Sequence, residues 1–357
     1  MNNREQTRAI KIGDIILGGG AAISVQSMTN TDTRDVKSTV CQIEKLQEAG
    51  CDIIRVAVPD MEAALAVKEI KKNIKIPLVA DIHFDYRLAL TCLQGNVDKI
   101  RINPGNIGST DRVQKVVNEA KTRNIPIRIG INGGSLEKSL LVKYGGVTPE
   151  AMVESAMSHI DILEAMDFGD IVISLKSSNV PMTIEAYKLM ADRRNYPLHV
   201  GITEAGTLYG GTIKSSAGIG AILSYGIGDT IRVSLTGDPV EEVRAGKAIL
   251  QTMELAERNL EFISCPTCGR CRINLIEIAT EVEMKLHELE KLGRLKKNLK
   301  VAVMGCAVNG PGEASQADIG IAGGDGDALL FKKGQTVRKL SGCDIAQQLI
   351  DEILLME

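Results

Sequence analysis

The residues that most clearly carry chemistry are cysteines near the C-terminal end of the chain. Cys265, Cys268 and Cys271 fall within seven residues, in SCPTCGRC, and Cys306 begins a Gly- and Pro-containing segment, CAVNGPGE, that ends at Glu313. Two cysteines separated by two residues can bring both thiolates to one metal centre from a single turn. A distant thiolate and an oxygen ligand would complete the shell, so the pattern predicts a metal centre built from two segments.

The spacing narrows the kind of centre. A closed zinc site usually uses two Cys pairs or Cys and His pairs, whereas here there is one pair, and the four histidines are dispersed. The ferredoxin run C-x2-C-x2-C-x3-C-P begins correctly, but Leu275 stands where its fourth cysteine belongs. The residues therefore favour an iron–sulfur cluster over zinc, and leave its fourth ligand open between Cys271 and Glu313.

The elements that precede these cysteines alternate between strands and helices. Eight short β-branched runs are separated by helical patterns; the runs are 22–27, 52–58, 77–82, 98–103, 126–132, 170–176, 198–203 and 230–235. Such alternation predicts parallel strands with right-handed crossovers. Eight units over about 250 residues match a (β/α)8 TIM barrel, here assigned to residues 1–258. A doubly wound sheet is the alternative, but it requires a glycine fingerprint after the first strand, and GGGAA at 18–22 precedes that strand.

Polar side chains follow the predicted strands at their carboxyl ends, where a TIM barrel has its active site. In strand order they are Arg55, Asp81, His83, Arg101, Asn103, Arg128, Asn132, Lys176, Glu204, Arg232 and Ser234. Residues two apart in a strand share a face, so these side chains can converge in the barrel mouth. Five of them are cations in a chain whose net charge is −3. They predict a strongly anionic small ligand, for which a diphosphate is the natural candidate.

The remaining sequence, residues 259–357, predicts a small α+β domain that carries the cysteines. A helix at about 273–296, strands near 299–305, 318–322, 328–332 and 335–340, and a helix at 344–356 follow from its pattern. The acidic balance and the low aromatic content give no basis for binding nucleic acid. No apolar run approaches a membrane span, and the N-terminus is polar, so we expect a soluble cytoplasmic protein with no membrane partner.

The motifs together resemble those of the 4-hydroxy-3-methylbut-2-enyl diphosphate synthases of the non-mevalonate isoprenoid pathway, in their shorter bacterial form. The resemblance runs nearly end to end, through VQSMTNTDT, RVAVPD, ADIHFD, RINPGNIG, GINGGSLE, GITEAG, GIGDTIRVSL, SCPTCGR and GCAVNGPGE. It implies a 4Fe-4S cluster held by Cys265, Cys268, Cys306 and Glu313, with Cys271 as a neighbour that does not bind iron. It also implies reductive opening of 2-C-methyl-D-erythritol 2,4-cyclodiphosphate, with flavodoxin or ferredoxin as the electron donor.

The resemblance assigns roles to the strand-end residues as well. The diphosphate would be held by Arg55, Arg101, Arg128, Lys176, Arg232 and Ser234, with Asn103 and Asn132 assisting. Asp81 and His83 would shape the mouth. Glu204 would be the acid–base group, and Glu313 would be the ligand that substrate oxygen can displace from iron. A phosphate-binding barrel lyase or transferase with a structural metal domain is the alternative.

The order of the elements also predicts an assembly. The helix after the eighth strand runs back toward the amino ends of the strands, so the chain leaves the barrel at the end opposite its mouth. A connector at 257–264 spans less than about 30 Å, which is comparable to the height of the barrel wall. A head-to-tail homodimer, in which each C-terminal domain serves the partner's barrel, resolves this geometry.

Overall fold

The chain divides into two compact units, Met1–Ala256 and Glu257–Glu357. The computed structural model describes residues 4–258, 260–306, 315–342 and 344–356. Among these described residues, no helix is long and apolar enough to cross a membrane.

The first unit is built on eight parallel strands. They are β3 (Ser24–Met28), β4 (Ile53–Ala57), β5 (Leu78–Asp81), β6 (Lys99–Arg101), β7 (Ile127–Asn132), β8 (Ile171–Lys176), β9 (His199–Val200) and β10 (Thr230–Ile231). Neighbours pair in the order β8-β7-β6-β5-β4-β3-β10-β9, and a parallel bridge between Ile173 and Leu198 joins the two ends. The strands therefore close into a barrel. The TIM barrel prediction is confirmed, and the doubly wound sheet is excluded.

Helices follow the strands and cover the barrel. They are α1 (Val36–Glu48), α2 (Met61–Asn73), α3 (Tyr86–Gln94), α4 (Pro104–Ile107), α5 (Thr110–Arg123), α6 (Lys138–Tyr144), α7 (Pro149–Ala165), α8 (Val180–Arg193), α9 (Leu208–Ser224) and α10 (Pro239–Thr252). Several begin at a side-chain cap: Asp35, Asp60 and Asp238 each accept a hydrogen bond from a backbone N–H of the first turn. Each cap ends the preceding loop at a fixed residue, so the strand ends are held at defined positions.

A short hairpin at the N-terminus closes the other end of the barrel. It consists of β1 (Ile10–Ile12) and β2 (Ile15–Leu17), which pair antiparallel. Its apolar side chains pack with Ile53, Val79 and Val172, which lie at the amino ends of three barrel strands. The sequence analysis missed this hairpin because each strand has only three residues, too few to establish an alternating pattern.

The second unit is a five-stranded sheet with two helices. It comprises β11 (Leu260–Ser264), β12 (Leu299–Met304), β13 (Ile319–Gly323), β14 (Asp327–Lys332) and β15 (Gln335–Ser341), in that order across the sheet, with α11 (Leu275–Lys291) and α12 (Ile345–Leu354). Strands β11, β12 and β13 are parallel, and the rest are antiparallel. One prediction is corrected here: most of the predicted connector at 257–264 is strand β11. Its half-buried side chains gave no clear alternation in the sequence.

Candidate active site

Strand pairing sets the predicted mouth residues side by side. Asp81 pairs with Ala57 on one side and with Arg101 on the other, and Arg101 pairs with Arg128 on the next strand. Asn132 pairs with Lys176 in the same way. Strands β4 to β8 therefore carry these polar residues at neighbouring positions of the sheet.

Asp81 is the centre of an ion-pair network among these residues. Its carboxylate bonds to Arg55 and lies 3.4 Å from Nη1 of Arg101. Nδ1 of His83 lies 3.1 Å from the same guanidinium, which can only donate, so Nδ1 accepts from arginine; Nε2 lies 3.4 Å from Asp81. Burial would raise the pKa of Asp81, but Arg55, the His83 hydrogen bond and Arg101 hold it well below its usual range. Asp81 is therefore an anion that orients two arginines.

Gly130, on β7, provides the space in which Arg101 lies. A Cβ at this position would come within 2.7 Å of Nε of Arg101, and the Gly130 carbonyl accepts a 2.7 Å hydrogen bond from Nη2 of that arginine. Asn103 fixes the same glycine through both of its amide atoms, accepting from the Gly130 N–H at 2.9 Å and donating to its carbonyl at 3.0 Å. Asn103 therefore fixes the position of Gly130 on β7, the residue against which Arg101 packs.

Arg128 and Lys176 are also almost completely buried. Arg128 donates to the hydroxyl of Ser174 at 2.8 Å, and its Nε and Nη2 have no partner among the described residues. Nζ of Lys176 lies 3.3 Å from Nε2 of His199. Burial, followed by the charges of Arg232, Arg128 and Arg55, lowers the pKa of Lys176 well below its ordinary value. Among the described residues, neither side chain forms an ion pair with a carboxylate, and buried cations without such a pair favour a site that binds an anion.

Arg232 completes the ring of cations from the eighth strand of the barrel. Its Nη2 lies 3.5 Å from Oε2 of Glu242, a buried carboxylate on α10. The same glutamate accepts a hydrogen bond from the hydroxyl of Ser27 and, through its other oxygen, from the Leu235 N–H. Glu242 therefore ties the loop after β10 to the first barrel strand and holds Arg232 between them.

Three predicted residues are not drawn into this network. Glu204 is exposed on the loop after β9, with a left-handed backbone (φ 51°). Asn132 and Ser234 are half-buried. Within the described part of the chain, none of these three side chains makes a hydrogen bond or ion pair with the cations.

The sequence analysis missed Lys99, His199 and Glu242. Lys99 and His199 are completely buried. Lys99 is on β6 two residues before Arg101, so the two-residue period of the strand would have placed it on the same inner face. His199 begins β9 in the same manner. Glu242 had no local signal, since its partners Ser27 and Arg232 lie on the first barrel strand and directly after the last one, and these two strands are adjacent in space but far apart in sequence.

The contacts around the mouth thus bring six cations together with two carboxylates. The cations are Arg55, Lys99, Arg101, Arg128, Lys176 and Arg232, and the carboxylates are Asp81 and Glu242. Such an excess of positively charged side chains favours the binding of an anion.

In the second unit, Cys265 and Cys306 follow adjacent parallel strands. Cys265 comes directly after β11, and Gly305 and Cys306 come directly after β12, whose Val303 pairs with Ser264. The Gly305 N–H donates a 3.1 Å hydrogen bond to Sγ of Cys265. An N–H that points at sulfur stabilises a thiolate, as in iron–sulfur sites.

Cys268 and Cys271 differ from each other in their surroundings. Cys268 is exposed, and hydrogen bonds from the backbone and side chain of Arg270 lower the pKa of its thiol, which favours the metal-binding thiolate. Cys271 donates to the carbonyl of Ile273 at 3.2 Å, and its sulfur lies 2.7 Å from the position a Cβ on Gly305 would occupy. Cys271 is therefore engaged in packing and in its own hydrogen bond.

The full ligand set cannot be assembled from the described residues alone. Glu313 lies outside them, and among the described residues no group of three His, Cys, Asp or Glu side chains is placed to hold a metal ion. Cys265, Cys268 and Cys306 nevertheless provide thiol donors from the two segments that the sequence predicted.

Comparison with known proteins assigns both units of the chain. A family model described as the GcpE TIM-barrel domain matches residues 7–247, and one described as the GcpE protein C-terminal domain matches residues 261–354. The 4-hydroxy-3-methylbut-2-en-1-yl diphosphate synthase (flavodoxin) of Ruminiclostridium cellulolyticum is 62% identical over 350 residues, covering 98% of each chain. The chain belongs to the 4-hydroxy-3-methylbut-2-en-1-yl diphosphate synthase family, GcpE. The family predicted from the motifs is therefore confirmed.

Other members of the GcpE family are nearly as similar to this chain. The synthase of Clostridium perfringens is 61% identical and covers 98% of each chain, and that of Brevibacillus brevis is 55% identical, covering 99% of this chain and 96% of its own. Among solved structures, dihydropteroate synthase from Stenotrophomonas maltophilia covers 70% of this chain and 98% of its own, with a TM-score of 0.51 and 13% identity. At that identity the likeness concerns the barrel fold alone.

Proposed function

We propose that this protein catalyses the two-electron reductive ring-opening of 2-C-methyl-D-erythritol 2,4-cyclodiphosphate to 4-hydroxy-3-methylbut-2-enyl diphosphate, with loss of water. The observation that carries the proposal is the barrel mouth, where six cations face two carboxylates. A cyclic diphosphate supplies the negative charge that this mouth lacks. Membership of the synthase family supports the same reaction, and the cytoplasm suits its reduced thiols.

The cations divide the work of binding. Arg128 and Lys176 are buried, Arg232 is half-buried, and all three are weakly paired, so they bind the diphosphate most directly, joined by Ser234 and Asn132 from the rim. Arg55 and Arg101 are already oriented by Asp81 and His83, and can contact a phosphate oxygen without losing the aspartate. Asn103 acts through Gly130. Binding therefore exchanges repulsion among the cations for contacts with one ligand.

The second unit would hold a 4Fe-4S cluster on Cys265, Cys268, Cys306 and Glu313. The donors fit the group: Cys265 accepts an N–H bond at its sulfur, and Cys268 has a lowered thiol pKa. When bound, such a cluster supplies electrons and a Lewis-acidic iron, and a carboxylate ligand is easier to displace than a thiolate. Cys271 takes no part as a ligand, since its sulfur donates to the Ile273 carbonyl and packs against Gly305.

Glu204 is the acid–base group in this proposal. It is the carboxylate at the rim with no partner among the described residues, and its left-handed backbone fixes the direction of the loop after β9. An unpaired carboxylate at the rim can exchange a proton with the carbon skeleton of a ligand whose diphosphate is anchored below it. Paired carboxylates such as Asp81 are unsuited to that role.

A homodimer with composite sites is part of the proposal. Large apolar side chains are exposed on the loops and helices that follow the strands, including Phe84, Val142 and Tyr209. An apolar rim of this kind requires a cover, and the cluster-bearing unit of a second copy would provide it. Flavodoxin, the donor named for the relatives, would supply the electrons.

Anaerobic purification followed by iron, sulfide and turnover analysis tests the proposal. We expect about four irons and four sulfides per chain and conversion of the cyclic diphosphate with reduced flavodoxin. One zinc per chain and no turnover would instead support a barrel lyase or transferase with a structural metal domain.

A further inference from the structure

The barrel closes between β8 and β9 in an unusual manner. These strands are bridged at Ile173 and Leu198. Further toward the mouth, the hydroxyl of Tyr187, from α8, accepts a 3.1 Å hydrogen bond from the Leu175 N–H and donates a 2.6 Å hydrogen bond to the His199 carbonyl. A buried side chain thus takes the place of a backbone ladder bond and holds the two strands together.

Lys176 and His199 occupy the inner side of this seam. Nζ of Lys176 lies 3.3 Å from Nε2 of His199, and both side chains are buried. Gly201 leaves space for the ammonium, since a Cβ there would come within 2.6 Å of Nζ. The lysine therefore lies in a position that three separate features define: the imidazole, the missing side chain of Gly201 and the tyrosine-bridged strands.

The imidazole in this seam is neutral. Burial, and then the charges of Lys176, Arg128 and Lys99, lower the pKa of His199 well below its ordinary value. An ammonium can only donate, so Nε2 of His199 accepts from Lys176 and the ring proton is on Nδ1, which has no partner among the described residues. A neutral acceptor orients the ammonium and leaves its charge uncancelled. A carboxylate in the same place would cancel that charge.

We infer that His199, held by Tyr187, is a positioning residue that orients Nζ of Lys176 toward the diphosphate without itself adding a charge. The inference rests on the proposed function, because it concerns how the same mouth binds its ligand. Lysine has a flexible four-carbon stem, and here Arg232, Arg128 and Arg55 act on its charge more strongly than the carboxylate of Glu242 does. Without an acceptor, repulsion would turn its ammonium away from the site.

Two substitutions at His199 test this on the holoenzyme, with inorganic diphosphate as the binding probe and the cyclic diphosphate for turnover. His199→Leu removes the acceptor, and we expect diphosphate affinity to fall about tenfold or more, as for loss of a hydrogen bond to a charged group. KM should rise by a similar factor while kcat is nearly unchanged, since ground state and transition state lose the same contact. His199→Gln places a carbonyl oxygen near the position of Nε2 and should restore most of the affinity.

Tyr187→Phe provides a second test that does not depend on His199→Leu folding. Loss of the bridging hydroxyl should weaken diphosphate binding at least threefold, which corresponds to the net contribution of one hydrogen bond. Tyr196→Phe is the matched control: this buried tyrosine bonds to Glu164 and has no contact with Lys176, so its affinity should equal that of wild type.

The Lys176→Met background decides whether His199 acts through the lysine. There, adding His199→Leu should cause no further loss of diphosphate binding. An equal loss with and without Lys176, or unchanged binding in both His199→Leu and Tyr187→Phe, would overturn the inference. Wild-type protein that binds no diphosphate would instead refute the proposed function, and the inference with it.

Discussion

Lys99→Met should make the protein more stable and a poorer diphosphate binder. The Lys99 side chain is fully buried, its Nζ has no partner among the described residues, and burial together with Arg128 and Arg55 lowers its pKa well below the ordinary value. Methionine has a similar shape and no charge. Replacing even a buried ion pair by packed apolar residues is often neutral or stabilises by about 1–4 kcal/mol, and the Lys99 amine has no partner among the described residues to lose. We take about 2 kcal/mol, which raises Tm by roughly 4–8 °C for a domain of this size.

The cost to binding follows from the position of the charge. Lys99 lies two residues before Arg101 on β6, about 7 Å deeper in the barrel. One charge about 10 Å from the diphosphate, at an effective dielectric constant of about 20, contributes about 1.7 kcal/mol. We therefore expect diphosphate affinity to fall roughly 10- to 20-fold.

The stability gain should also depend on pH, in a direction that the lowered pKa fixes. Below the ordinary lysine pKa of about 10.4, the unfolded wild-type chain binds a proton that the folded chain binds less well. The buried lysine therefore lowers the folding stability of the wild type at neutral pH, and this loss of stability becomes smaller as pH rises toward the ordinary lysine pKa. The Tm difference between Lys99→Met and wild type should shrink accordingly.

Calorimetry with and without inorganic diphosphate measures both effects, with Lys68→Met on the exposed face of α2 as the control. Lys68→Met should match wild type in Tm and in affinity. A Lys99→Met protein with a lower Tm than wild type would show that Lys99 has a stabilising partner. A rise in Tm with diphosphate equal to that of wild type would show that Lys99 has no electrostatic role at the mouth.

Three further predictions concern the two sites. Arg128→Met should weaken diphosphate binding, measured by calorimetry, by about 2–3 kcal/mol and leave the iron content normal. Loss of iron with normal diphosphate binding would contradict the assignment of Arg128 to the mouth. A Cys306→Ser variant mixed with a Glu204→Gln variant should regain activity through hybrid dimers, and inactivity despite subunit exchange shown by mass spectrometry would favour sites made within one chain. Glu313→Ala should lose an iron and turnover in Mössbauer and activity assays, whereas Cys271→Ser should keep four irons; the reverse would make Cys271 the fourth ligand.

The sequence was sufficient to predict the barrel because its strands are β-branched runs with helices between them. The strands observed at Ile127–Asn132 and Ile171–Lys176 lie within a residue of their predicted bounds, and burial on both faces is what makes such runs recognisable. The hairpin at Ile10–Leu17 and strand β11 were missed, since short or half-buried strands carry little periodic signal.

The candidate site could be predicted only in part, for a physical reason. Arg101 and Arg128 lie on adjacent parallel strands and pair with each other, so topology alone places them together. Glu242 and Tyr187 come from helices, and their partners are fixed by packing across the barrel that no local pattern records. The ligand role of Glu313 stays a prediction, because that residue lies outside the described part of the chain.

The N-terminal hairpin makes the barrel interior a well with a single opening. With Ile12 and Leu17 packed against the amino ends of the strands, a molecule bound among the cations cannot leave through the floor. Water displaced from the buried polar layer must depart by the route along which the ligand arrives. In the proposed reaction, the next substrate cannot enter until the product diphosphate has dissociated. Product should therefore inhibit competitively, and the time it stays bound sets a ceiling on turnover.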